Sequence, residues 1–110
     1  MSLDGVKMVA VQTAPNGVVN QDTVFEFGLL APDRFLARYA GGRVISGTLI
    51  GRVDGDRFHF RYVQLHDDGE IAGGQSTCDI ERTDDGRVRL VEHFTWDGGE
   101  PGVNVLEQIE

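Results

Sequence analysis

Seven turn signals cut this chain into eight short segments, and that rhythm leaves little choice of fold. The signals are Pro15-Asn16-Gly17, Pro32-Asp33, Gly41-Gly42, Asp54-Gly55-Asp56, Asp67-Asp68-Gly69, Asp84-Asp85-Gly86 and Asp97-Gly98-Gly99. Glycine takes positive φ without steric cost, and Asp or Asn bonds its own backbone to open a turn. Asp-Gly and Gly-Gly between alternating segments are the strongest short hairpin signals.

The intervening segments place an apolar residue at every second position. Phe25, Phe27 and Leu29 share one face, as do Phe35, Ala37 and Tyr39. Phe58, Phe60, Tyr62 and Gln64 share another, and so do Val88, Leu90, Glu92, Phe94 and Trp96. His59, Arg61, Arg87, Arg89, His93 and Thr95 fall on the opposite side. This is the period-two pattern of strands with one wet face. Only Val103, Leu106 and Ile109 fit helical spacing, over a stretch too short to stand as a helix, so Val103 to Glu110 reads as a strand. The first segment, Val6 to Thr13, alternates poorly but also reads as a strand.

Eight strands joined by tight turns make a meander, whose two edges stay exposed unless the sheet closes. The expected fold is all-β: one eight-stranded antiparallel up-and-down barrel spanning residues 1–110, with essentially no helix. About eight strands enclose side chains or one small ligand. A two-sheet sandwich is the alternative, but it needs long crossovers that this chain lacks. Gly47, Gly51, Gly73 and Gly74 interrupt otherwise good strands and are expected to mark barrel curvature.

Composition narrows the function. A net charge of −8 argues against nucleic acid and anionic membranes as partners. The single cysteine, Cys78, excludes an intramolecular disulfide. Met1-Ser2-Leu3-Asp4 lacks a basic stretch and an apolar run, so cytoplasmic residence is expected. Met1 to Leu3 read as a vector-derived start, and Glu110 as the edge of a tag.

Most familiar chemistry finds no footing. His59, His66 and His93 have no metal-ligand spacing and are expected at the surface, so no metal or other cofactor is expected. No Gly-x-Ser-x-Gly elbow precedes a helix, and Cys78 reads as a small buried hydrophobe. The acidic turns lack calcium-loop spacing.

The informative set is interior. Strand parity turns Tyr39, Tyr62, Gln64, Ser76, Glu92 and Trp96 inward, and these are the candidate ligand-binding residues. Aromatics with a few convergent polar groups are what a small-ligand site requires. The same residues could instead satisfy one another as a filled core. Arg61 is outward by parity, but a bulge near Gly51 or Gly73 would turn it toward Glu92. Three functions follow: a module binding a small apolar or amphipathic ligand; an enzyme with Glu92 as general acid or base; or a non-catalytic protein that homodimerises through its wall.

Several runs are similar to one family of small bacterial proteins. They include Gly17-Val18-Val19-Asn20-Gln21-Asp22-Thr23-Val24-Phe25, Tyr39-Ala40-Gly41-Gly42, Gly47-Thr48-Leu49-Ile50-Gly51, Arg61-Tyr62-Val63-Gln64, Gly86 to Glu92, and Trp96. The family is often labelled "n-acetylglutamate synthase" and resembles avidin-like, calycin-type barrels. The resemblance covers roughly residues 16–109 and implies a barrel. The label would imply acetyl transfer, yet no Gly-rich run here opens a helix to cradle a pyrophosphate. Avidins line their pocket with several Trp residues, and this chain has one, so biotin is not implied.

Overall fold

The computed structural model describes residues 2–109; Met1 and Glu110, read above as parts of a vector-derived start and a tag, lie outside the described residues. Eight strands follow in order: β1 (Lys7–Gln12), β2 (Val24–Ala31), β3 (Arg34–Gly41), β4 (Val44–Asp54), β5 (Arg57–His66), β6 (Ile71–Arg82), β7 (Val88–Trp96) and β8 (Pro101–Gln108). Each pairs antiparallel with the next, and β8 returns to β1 with Leu106 opposite Ala10. The sheet is thus a closed eight-stranded barrel with no helix among the described residues. Closure pairs every edge, as the meander required.

Three hairpins share one turn chemistry. In His66–Glu70, Thr83–Arg87 and Trp96–Glu100, the amide N of the first residue donates to the carbonyl of the fifth, and the fourth residue's N–H donates to the first carbonyl. Those fourth residues are Gly69, Gly86 and Gly99, with φ of 88°, 86° and 99°. A three-residue loop of this kind needs a left-handed residue there, which is why each run ends in Gly. Pro32-Asp33 is different: Asp33 itself adopts φ 61°. Asp tolerates that region better than most side chains.

The in-strand glycines are set by what faces them. Pairing register runs unbroken through Gly51, Gly73 and Gly74, and the β3–β4 shift borders Gly47. The register shifts fall instead at Ala10/Gln12, Leu29/Ala31, Tyr39/Gly41 and Val44/Ser46. The inward glycines seat aromatic rings. Gly47 lies directly opposite Tyr39, Gly51 opposite Phe60, Gly74 opposite Tyr62, and Gly102 opposite Phe94. A Cβ at Gly47 or Gly102 would stand well inside contact distance of the facing ring. One inward row reads Phe35, Gly51, Phe60, Ser76, Phe94, Gly102 across six strands, large beside small throughout. Such alternation fills a small barrel at native density without strain.

Both mouths are covered. At one end the 13–23 connection between β1 and β2 folds inward, burying Val19 and packing Val18 on the core. At the other, Leu3 is fully buried, and its neighbours bond to β2: Gly5 N donates to Phe27 O at 2.9 Å and Leu29 N to Asp4 Oδ1 at 3.0 Å.

Candidate functional site in the barrel interior

Parity delivers the interior polar set. Tyr39 comes from β3, Tyr62 and Gln64 from β5, Ser76 from β6, and Glu92 from β7; all five are buried. Trp96, at the end of β7, is half-buried at the mouth beneath the 13–23 segment. Its ring meets Tyr62 at 5.6 Å and Phe94 at 5.7 Å between centroids, both edge-on.

These residues form two separate networks. In the first, Tyr39 Oη donates to Gln64 Oε1 at 2.7 Å, and Gln64 Nε2 lies 2.9 Å from His66 Nε2. With the amide nitrogen as donor, His66 accepts on Nε2 and carries its proton on Nδ1. Nδ1 is 3.2 Å from Glu70 Oε1 but out of line for a hydrogen bond. In the second, Glu92 takes a bond on each oxygen: Ser76 Oγ donates to Oε2 at 2.6 Å and Asn104 Nδ2 to Oε1 at 3.1 Å. Tyr62 Oη belongs to neither; it is buried without a partner. A stranded hydroxyl of this kind costs about 1–3 kcal/mol.

Burial sets the proton affinities. It pushes the Glu92 carboxyl above its ordinary value, against the opposing pull of Ser76, Asn104 and the charge of His93. Burial, then the Glu92 charge, pushes the Tyr39 and Tyr62 hydroxyls well up. Cys78, directly opposite Glu92, is likewise held as a thiol by burial. The interior therefore favours neutral species.

One placement differs from the expectation. His66 was expected at the surface, but only 1% of it is exposed. It shares the parity of Tyr62 and Gln64, and the Gln64 amide satisfies its ring. Arg61 keeps the outward face that parity gives it. The register at β5 holds without a bulge, so Arg61 stays outside and pairs with Asp97 at 2.9 Å.

The site also uses residues the sequence reading passed over. Asn104 on β8 bridges the carboxylate to the lid, its Oδ1 accepting from Ala14 N at 2.9 Å. Its signal is parity with Leu106, which the helical spacing of Val103, Leu106 and Ile109 masks. Asn16 holds the lid to the rim: its carbonyl accepts from Trp96 Nε1 at 3.1 Å, and its Nδ2 donates to Pro101 O at 3.0 Å. Nothing in the turn signal Pro15-Asn16-Gly17 distinguished a lid from a hairpin.

Between lid and core lies a cavity of about 20 Å³, bordered by Tyr39, Tyr62, Gln64, Glu92, Trp96 and Asn104. A water needs about 10–15 Å³ measured this way, whereas small-molecule sites run to roughly 300–1,000 Å³. With the lid down, the interior has room for one water. Among the described residues no group of three or more His, Cys, Asp or Glu could hold a metal ion.

The strand-only architecture and the matched family give the synthase label no support. No curated protein and no solved structure matches the chain. A family model described as avidin-like protein matches residues 1–109, all eight strands and nearly the whole chain. With its closed eight-stranded meander and polar interior, this chain belongs to the avidin-like protein family.

Proposed function

We propose that the barrel interior binds a small apolar or amphipathic ligand, admitted when the 13–23 segment lifts. The observation that carries this reading is the buried, partnerless Tyr62 Oη, set beside Glu92, Asn104 and Trp96 directly under that segment. An aromatic wall with one unmet hydroxyl suits a ligand with an apolar body and a single polar group. The lid is lightly held. Four hydrogen bonds tie it to the barrel, three from Ala14 and Asn16 and one from Thr23 at its base, and β1 pairs with β2 over only three positions. Lifting Val19 and breaking the bonds of Ala14 and Asn16 costs about 3–7 kcal/mol, which a well-fitting ligand can offset.

Trp96 is the sole tryptophan, so its emission reports the mouth directly. Titration with medium-chain fatty acids and aromatic alcohols is expected to give a saturable shift for at least one compound. Tyr62→Phe is expected to weaken binding of hydroxyl-bearing compounds and spare their hydrocarbon parents. An unmoved Trp96 spectrum across the panel refutes the reading.

A second reading gives Glu92 a chemical role. Its raised carboxyl would stay protonated to higher pH than a surface Glu, the state a general acid needs. It predicts a turnover lost in Glu92→Gln while ligand binding persists; loss of both together favours simple binding.

A further inference from the structure

The outer wall carries a second constellation, unrelated to the interior. Across β3 to β7, Arg34 lies opposite Arg52, Arg52 opposite His59, His59 opposite Thr77, and Thr77 opposite His93. The next row is Leu36, Ile50, Arg61, Gln75 and Thr95. A groove of about 660 Å³ lies over these rows, flanked on the β2 side by Leu30 and Ala31. That volume falls in the range of small-molecule sites.

The charges here break the habit of the rest of the molecule. Lys7, Arg43, Arg57, Arg61, Arg87 and Arg89 each lie within 4.0 Å of a carboxylate. Arg34, Arg38 and Arg52 have no such partner among the described residues, although the chain carries 18 acidic residues. All three sit on the outer face of β3 and β4, and two of them face each other. Like charges directly opposite on paired strands destabilise a sheet. Asp97 is engaged with Arg61 at 2.9 Å, and Asp79 with His93 at 3.3 Å and Arg57 at 3.8 Å, while Asp33, next to Arg34 in the chain, and Asp54, two residues beyond Arg52, come within 4.0 Å of neither arginine. His59 Nδ1 and Thr77 Oγ1 are 3.2 Å apart, which fixes that part of the wall.

We propose that this groove is a binding site for an amphipathic anion. A carboxylate, sulfonate or phosphate head sits between the guanidinium groups of Arg34 and Arg52, and an apolar or aromatic body lies against Leu30 and Ile50. Arg34 already donates through Nη1 to Pro32 O at 3.0 Å, which holds its guanidinium at the groove, and its remaining N–H groups together with the Arg52 fork match the planar or tetrahedral oxygens of such a head. The head also relieves the repulsion between the two arginines.

Anilinonaphthalene sulfonate, a fluorescent amphipathic anion, is the probe. Wild type is expected to bind it saturably, less tightly as salt rises. Amide shifts in the protein's NMR spectrum are expected to centre on Arg52, His59 and Thr77. Arg34→Gln combined with Arg52→Gln, both exposed, is expected to keep the wild-type circular dichroism and weaken binding at least about tenfold. Arg52→Lys, which keeps the charge without the fork, is expected to fall between. The proposal is overturned if the double variant binds as wild type does, if wild type shows no saturable binding, or if the shifts centre on Val18, Val19 and Tyr62. The last result would place the dye in the barrel interior.

Discussion

Glu92→Gln separates the two forces acting on the buried carboxyl. The amide is nearly isosteric and can keep both contacts: its oxygen accepts from Asn104 Nδ2, and its N–H donates to Ser76 Oγ, which turns from donor to acceptor. At about pH 4 the wild-type carboxyl is largely protonated in both folded and unfolded chains, and the two proteins are expected to agree within about 1 kcal/mol. The folded carboxyl lies above its ordinary value of 4.5 because of burial. As pH rises past that value the unfolded chain releases its proton first, while the folded chain keeps it. The folded state then binds more protons, so wild-type stability falls with pH, by at most about 1.4 kcal/mol per unit, until the folded carboxyl ionises. The E92Q variant lacks this term. Its advantage is expected to grow from about pH 5 upward and then level off. Urea denaturation followed by circular dichroism at several pH values reads the difference, with equal m-values certifying a common unfolding reaction. Groups common to both proteins cancel. A difference that stays constant with pH, or one that shifts in favour of wild type as pH rises, refutes the reasoning. It would mean that Ser76, Asn104 and His93 balance burial in the first case and outweigh it in the second.

Gly74→Ala is expected to cost about 1–3 kcal/mol, because its Cβ would press on Thr95 O and stand 2.5 Å from Tyr62 Oη, whereas Gly28→Ala, which meets nothing within 4 Å, is expected to be neutral or mildly stabilising; urea midpoints compare them. Arg52→Glu replaces a repulsive neighbour of Arg34 with an attractive one and is expected to raise the thermal midpoint, by an amount equivalent to about 0.2–1 kcal/mol. Both tyrosines of the chain are buried and held protonated, so phenolate absorbance is expected to stay flat past the ordinary value near pH 10 and to rise only with unfolding. That stabilising term is full below about pH 10 and is lost as the medium becomes more alkaline, which a stability series in alkali checks.

The barrel was legible because its determinants are local. Turn residues such as Asp84-Asp85-Gly86 specify hairpins on their own, and parity along β5 and β7 fixes which face is inside without reference to any other strand. The same parity places Tyr62, Gln64 and Glu92 correctly. What the sequence hid was relational. Asn104 matters because β8 closes against β7 and sets it beside Glu92, a pairing between strands with no local sign. His66 follows the inward parity it shares with Gln64, and only the amide partner waiting there makes that burial tolerable for a ring that usually seeks the surface. The lid escaped notice because Val18 and Val19 look like strand residues, and their burial depends on a mouth that exists only once the barrel has closed. The register of Arg34 with Arg52 is equally invisible until β3 and β4 are paired.

The ring-over-glycine pairs of the inner wall make neighbouring strands mutationally dependent. Enlarging the glycine strands the ring, and shrinking the ring leaves a hole floored by bare backbone, so either single change is penalised while an exchange of both can be tolerated. A lineage crossing between the two arrangements passes most easily through the hole. Each such hole would have the size and flatness of one aromatic ring, and its floor would offer no side chain of its own. Hollow space in a barrel of this type therefore comes in ring-sized increments at fixed addresses: Gly47, Gly74 and Gly102. The ligands within evolutionary reach of such a barrel are first of all those that are flat.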